Sequence, residues 1–273
     1  MNLADKLTDK IKEQCGSRSV VVIGDTMVDR WVHGHTADCQ DGCRKFVQKS
    51  VVETPGGAAN AHRSIYHWHT TTRLFGFAEN DCPVKCRYVE GDKIVFRTDD
   101  DGPPTRMGRY DWARDEATRA VNRAGAVLLS DYDKGFLTSE FIRQVSDLCH
   151  DRGIPCVADC KREPKVYGRC IIKGNLEWFM KYQHRPHVLT AGQAVPTVNG
   201  VMVQDARYSA VPCANHVGAG DCLAAHLTLA LAYGFSLKEA AILAHSAGRV
   251  YVQHPHNRPP TPDEVAADLA TAP

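Results

Sequence analysis

Short apolar runs alternating with helical patterns predict an α/β fold with a mostly parallel central sheet, and two segments of apolar-polar alternation predict a small antiparallel β flap beside it. The first run, 19–23, is apolar and partly β-branched and ends at Gly24-Asp25. Strands buried on both faces by crossover helices have this character. Segments 30–54 and 84–100 instead alternate, and Glu90-Gly-Asp-Lys93 makes a turn between two halves of the second, as hairpins outside a parallel sheet do. The runs 126–130, 155–158 and 188–190 repeat the buried-strand pattern. Between them Phe141, Val145 and Leu148 recur at helical spacing ahead of Gly153, which suits a helix C-terminus. Near the end, Ser236 with Glu239 and Thr261-Pro262 with Glu264 have capping-box spacing, so two helices close the chain.

Composition bounds the function. The 273 residues fall between one and two domains at roughly 150 residues each. No repeat or Gly/Ser-rich linker divides them, so one domain over 1–273 with the flap inserted is expected. A net charge of +1 without a long single-sign block disfavours nucleic acid and anionic membranes as partners. The longest uncharged stretch, 222–237, is shorter than the roughly 18–20 residues a membrane span needs. The N-terminus alternates charged with apolar residues and lacks a signal-peptide core, so a cytoplasmic location is expected. Eleven cysteines without scaffold spacing read as reduced thiols, most of them small buried hydrophobes.

The segment 215–233 carries the chemistry. Its second half is almost wholly apolar, hence a helix buried all round. Gly218-Ala219-Gly220 stands at the start of that helix, where unpaired N–H groups and the helix dipole favour an anion and glycine lets a phosphate approach. Asp221 follows immediately. A carboxylate beside a phosphate site is electrostatically awkward unless it has a task, and accepting a proton from a hydroxyl that attacks the phosphate is such a task. A Walker loop would need Gly-Lys-Ser/Thr, which is absent, and the dinucleotide fingerprint would need glycine where Leu223 stands.

Five motifs in order then give the chain a family resemblance. Val22-Ile-Gly-Asp-Thr-Met-Val-Asp-Arg30, Thr54-Pro-Gly-Gly-Ala-Ala-Asn60, Leu129-Ser-Asp-Tyr-Asp-Lys-Gly135, Asp159-Cys-Lys161 and Val217 to Asp221 together resemble the ribokinase-like (PfkB) carbohydrate kinases. Their heptose-phosphate kinase branch, the kinase half of bacterial ADP-heptose synthases, is the most similar. The resemblance implies a three-layer αβα sandwich, Mg²⁺ and ATP as cofactors, transfer of the γ-phosphoryl group to a sugar hydroxyl, and a homodimer joined through the flap. It makes Asp221 the catalytic base and Gly218, Ala219 and Gly220 the anion hole. Asp29, Gly56, Gly57, Asn60 and Lys134 would bind the sugar or sugar phosphate, and Lys161, Asn175, Glu177, Thr190 and Gly192 the nucleotide. Asp29 follows an apolar strand, where open α/β sheets bind ligands, and the glycine pair lets a sugar ring approach.

The chain also departs from that pattern. Asn215, His216 and Val217 stand where relatives have Asp-Thr/Val-Thr, and Asn175-Leu-Glu177 is one residue shorter than their Asn-x-x-Glu. Glu177 is the acid left to organise Mg²⁺, through water. A nucleotide-loop glycine is missing after Gly192, and His245 stands where Asn is usual. Whole segments are deleted between Asn80 and Val84 and between Glu177 and His187. These erosions leave a second expectation open, a catalytically impaired module that binds sugar or nucleotide. Separately, His33, His35, Cys39 and Cys43 lie within eleven residues and offer zinc-type ligands, although without finger spacing.

Overall fold

A computed structural model describes residues 2–14, 17–102, 110–203 and 210–271. Helix α1 (Leu3–Glu13) leads into β1 (Ser19–Gly24), the flap strands β2 (Thr26–Asp38) and β3 (Arg44–Gly57), α2 (Ala58–Tyr66) and β4 (Thr71–Phe75). The flap resumes with β5 (Val84–Glu90) and β6 (Lys93–Asp100), followed by α3 (Asp111–Val121), β7 (Ala126–Ser130), α4 (Ser139–Asp151), β8 (Cys156–Asp159) and β9 (Ile171–Asn175). Then come α5 (Leu176–Tyr182), β10 (Val188–Ala191), β11 (Ala194–Val198), β12 (Val201–Met202), α6 (Ala219–Ala232), α7 (Leu237–Tyr251) and α8 (Pro262–Ala270). The main sheet has the order β12-β11-β10-β9-β8-β7-β1-β4. From β4 to β10 all neighbours are parallel, and only β11 and β12 are antiparallel additions.

Two cores lie on opposite faces of this sheet. Val20, Val22, Ala126, Leu128 and Val157 pack with α1, α2, α6, α7 and α8, whereas Val21, Ile23, Val127, Leu129 and Ala158 pack with α3 and α4. Successive strand residues thus alternate between two apolar environments, which is why the sequence shows continuous apolar runs rather than alternation. The result is the ribokinase-like three-layer sandwich. Helix α6 is buried on all sides from Asp221 to Ala232. Both expected capping boxes are formed, Ser236 with Glu239 and Thr261 with Glu264.

The flap differs from expectation in pairing and extent. Its order is β3-β2-β5-β6, and although its two hairpins are antiparallel, β2 and β5 run parallel. Its first part spans 26–57 rather than 30–54, because only Asp25 separates β1 from β2 and β3 runs up to the start of α2. The expected deletions correspond to short links. One 3-10 turn (Glu79–Asp81) joins β4 to β5, and the seven-residue α5 joins β9 to β10.

The cysteine expectation needs one correction. Cys39 and Cys43 form a disulfide across the turn between β2 and β3. The turn brings their Cα atoms to 5.1 Å, within the range a disulfide spans, and Cys39 N–H donates to the Cys43 carbonyl at 2.8 Å. The four-ligand zinc site is not assembled. Both sulfurs are bonded to each other, and His33 instead packs edge-on against His256 with ring centroids 5.4 Å apart. Cys86, Cys149, Cys156, Cys160, Cys170 and Cys222 are buried thiols, as expected. Among the described residues no helix is long and apolar enough to cross a membrane.

Candidate active site

The site forms where parallel strands end. Register sets Gly24 beside Ser130, Ser130 beside Asp159, Asp159 beside Lys173 and Asn175 beside Thr190, so four chain segments deliver polar groups to one edge. A Cβ on Gly24 would stand 2.1 Å from the Ser130 carbonyl oxygen, so only glycine allows β1 and β7 to meet there. Asp25, buried, accepts N–H bonds from Tyr132, Lys134 and Phe136 at 2.9, 3.1 and 3.1 Å. Burial pushes its carboxyl up, and these bonds oppose the rise. They wrap the 131–136 loop so that Tyr132 faces the start of α6.

Asp221 sits at the centre. It is 2% exposed, and accepts from the Tyr132 hydroxyl at 2.5 Å and from Asn60 Nδ2 at 3.2 Å. Burial first, then the nearby Asp159 charge, pushes its carboxyl up to about 6. Burial and Asp221 in turn push the Tyr132 hydroxyl upward, so it remains a donor. Gly218 is left-handed (φ 81°), and a Cβ there would stand 2.4 Å from both Asn60 Nδ2 and the Tyr251 hydroxyl. Asn60 Nδ2 also donates to the Gly218 carbonyl at 3.2 Å. Asn60 Oδ1 is buried and has no hydrogen-bond partner among the described residues. Within the turn, the Ala219 N–H donates to the His216 carbonyl at 3.3 Å; the following N–H groups belong to a first helical turn, which lacks intrahelical acceptors.

A cleft of about 290 Å³ opens beside this turn. Lys161, Asn175, Thr190, Gly192, Gly218, Ala219 and Gly220, each singled out from sequence, line it. Glu177 does not: it is exposed in the first turn of α5, whose N-cap is Asn175, accepting from Trp178 N–H at 2.8 Å. His245 lines the cleft as well, and burial pushes its imidazole down to about 4, so it is neutral at pH 7. The sequence reading missed Lys173. It is 3% exposed and donates to Asp159 Oδ1 at 2.9 Å and to the Gly220 carbonyl at 3.3 Å. The available signal was a lone lysine in the apolar strand Ile171-Ile-Lys-Gly174.

On the flap side, Asp29 is buried with both oxygens engaged, Oδ1 by Arg87 at 2.7 Å and Oδ2 by Asn257 Nδ2 at 3.0 Å. Asn215 donates to Asn257 Oδ1 at 2.9 Å, so Asn215 orients Asp29 from behind through Asn257. A Cβ on Gly56 would stand 2.7 Å from Asp29 Oδ2, so glycine there admits the carboxylate. Gly57, at φ 55°, turns β3 into α2. Lys134 Nζ pairs with Asp101 at 2.6 Å. The ammonium groups of Lys85 and Lys161 lie over the Tyr132 ring, 4.6 and 5.1 Å from its centroid. Arg87, Lys85 and Asn257 had no motif to mark them.

The donors do not fit a protein-held Mg²⁺, which takes oxygen ligands in near-octahedral geometry. Asp159 and the Gly220 carbonyl share the Lys173 ammonium, both oxygens of Asp221 are engaged by Tyr132 and Asn60, and Glu177 lies outside the cleft.

No family model matches the chain. The chain is similar to the bifunctional protein HldE of Granulibacter bethesdensis, 27% identical over 93% of this chain and 65% of that protein. It is also similar to the HldE of Hyphomonas neptunium, 26% identical over 99% and 67%. It spans about two thirds of the length of these relatives. Among solved structures, an Arabidopsis thaliana ribokinase complexed with ribose and ATP superposes with a TM-score of 0.71 at 16% identity, covering 94% of this chain and 100% of that one. Phosphofructokinase-2 of Escherichia coli gives 0.67 at 15%, covering 93% and 98%.

Proposed function

We propose that the chain is an ATP-dependent carbohydrate kinase that transfers the γ-phosphoryl group to a hydroxyl of a sugar or sugar phosphate, with a heptose phosphate as acceptor. The observation that carries this reading is Asp221, a buried carboxylate near pKa 6 adjoining the Gly218-Ala219-Gly220 turn and the cleft. ATP occupies the cleft along Lys161, Asn175, Thr190 and Gly192, with its terminal phosphate on the turn. The acceptor lies beneath the flap, against Asp29, Gly56, Gly57 and Asn60, and Lys134 reaches its anionic end. The acceptor oxygen bonds to the γ-phosphorus as the bond to the β–γ bridging oxygen breaks; ADP leaves and the hydroxyl proton passes to Asp221. With its carboxyl at about 6, Asp221 is mostly ionised at pH 7 and still basic enough to take it. Asn60 Oδ1, the open acceptor beside it, suits a second sugar hydroxyl. The similarity to HldE proteins supports the acceptor class, and the ATP complex of the plant ribokinase supports the nucleotide.

One observation favours a second reading: both Asp29 oxygens already have protein partners, which suits a module that binds ligands without turnover. Measuring ADP formation over a panel of sugars and sugar phosphates separates the two. Acceleration by a heptose phosphate is the expected result. ATP binding with no acceptor-dependent ADP would overturn the kinase reading in favour of the second.

A further inference from the structure

Lys173 is a buried cation on a central strand, and such a charge is costly unless compensated. Asp159, its neighbour in register on β8, supplies the counter-charge, and the Gly220 carbonyl accepts a second bond. An ammonium has three donors. Among the described residues no acceptor takes the third, and Lys173 itself lines the cleft. A Cβ on Gly220 would stand 3.2 Å from Nζ, so the ammonium lies directly against the turn. A phosphate resting on that turn would meet a fixed positive charge from below, while Lys161 lines the same cleft.

We infer that Lys173 is a built-in cation for the terminal phosphates of the nucleotide, placed where the cleft offers no ligand set for a divalent ion. This rests on the kinase reading. Lysine binds phosphate as a point charge, and charge neutralisation at the transferred group is the main demand phosphoryl transfer makes on a protein. The Lys173–Asp159 pair carries no net charge until the nucleotide arrives, and the phosphate then completes the ammonium's coordination. Nucleotide binding should therefore tolerate removal of divalent metal, and Lys173 should be the reason.

Calorimetry of the full chain with ATP, once in excess EDTA and once in excess Mg²⁺, tests this. Wild type should bind ATP in EDTA within about tenfold of its affinity in Mg²⁺. Lys173→Gln should lose at least about tenfold in EDTA, the scale of one hydrogen bond to a charged group. It should recover part of that loss in Mg²⁺, because the Asp159 carboxylate is released to attract the metal. Wild-type binding that requires Mg²⁺, or unchanged EDTA affinity in Lys173→Gln, would overturn the inference while leaving the kinase reading in place. The wild-type arm decides even if the variant does not fold. Absence of ATP binding in both buffers would overturn the kinase reading and this inference with it.

Discussion

Replacing Asp221 by asparagine removes one proton acceptor and leaves the volume of the side chain unchanged. The introduced carboxamide can keep its oxygen toward the Tyr132 hydroxyl, but its NH₂ group then faces Asn60 Nδ2, so one hydrogen bond is exchanged for a donor-donor contact at a cost of about 1–3 kcal/mol. Against this, the wild-type carboxyl is raised from 3.8 to about 6. Two units at roughly 1.4 kcal/mol each mean that ionised Asp221 costs the folded state about 3 kcal/mol at pH 7. An acid with a raised folded pKa favours folding below its unfolded value, and that contribution is lost as pH rises from about 4 to 6. The two effects roughly cancel at neutral pH. The variant should therefore melt within a few degrees of wild type at pH 7 and fall behind it at pH 4. Turnover should drop by about 10²–10⁴, the range general-base help contributes, with little change in ATP affinity. Coupled ADP release measures the first, and thermal melts at the two pH values the second. A variant that keeps more than a tenth of wild-type kcat would refute the role of Asp221; a stability gap independent of pH would refute the burial argument.

Gly218→Ala places a Cβ at a left-handed position, 2.4 Å from Asn60 Nδ2 and the Tyr251 hydroxyl. It should cost about 2–4 kcal/mol in urea denaturation, and a loss below 1 kcal/mol would contradict the geometry. The flap exposes Val47, Val51, Ile94, Val95 and Phe96, with Phe96 stacked 4.0 Å from Tyr88, so a second copy covering it should give a dimer by light scattering that Phe96→Glu weakens. A monomeric wild type at micromolar concentration would remove that expectation. Glu177→Gln should leave the Mg²⁺ requirement of ATP turnover unchanged, because Glu177 lies outside the cleft. A raised requirement would restore it as an acid that organises the metal.

The fold was legible because its signals are local and one-dimensional. The strands β1, β7, β8 and β10 show as short apolar runs, whereas β4 and β9, which carry polar residues, left no such run, and each of the last two helices begins at a capping box whose partners are three residues apart. The site was legible where glycine is obligatory: Gly56, Gly57 and Gly218 are each required by a close approach or a positive φ, and such requirements leave a residue type behind in the sequence. Pairing direction in the flap was not legible, since β2 and β5 are separated by β3, α2 and β4, and nothing in an alternating segment states whether its neighbour runs parallel.

The residues that escaped sequence reading share one property: each acts through a partner distant along the chain. Arg87 and Asn257 meet on Asp29 from 58 and 228 residues away, so neither forms a motif with it. Lys173 is 14 residues from Asp159 and 47 from Gly220; the β8–β9 register sets it beside Asp159, and the start of α6 brings the Gly220 carbonyl to it. That register also changes how the missing acids are understood. Counted along the sequence, Asn215 and the shortened Asn175-Leu-Glu177 look like losses from a metal site. In the folded chain Asn215 holds Asn257 against Asp29, Asn175 caps α5, and the Lys173 ammonium, from β9, lies against the Gly218-Ala219-Gly220 turn. On the role inferred for Lys173, the charge a phosphate needs is supplied at the cleft by the protein itself.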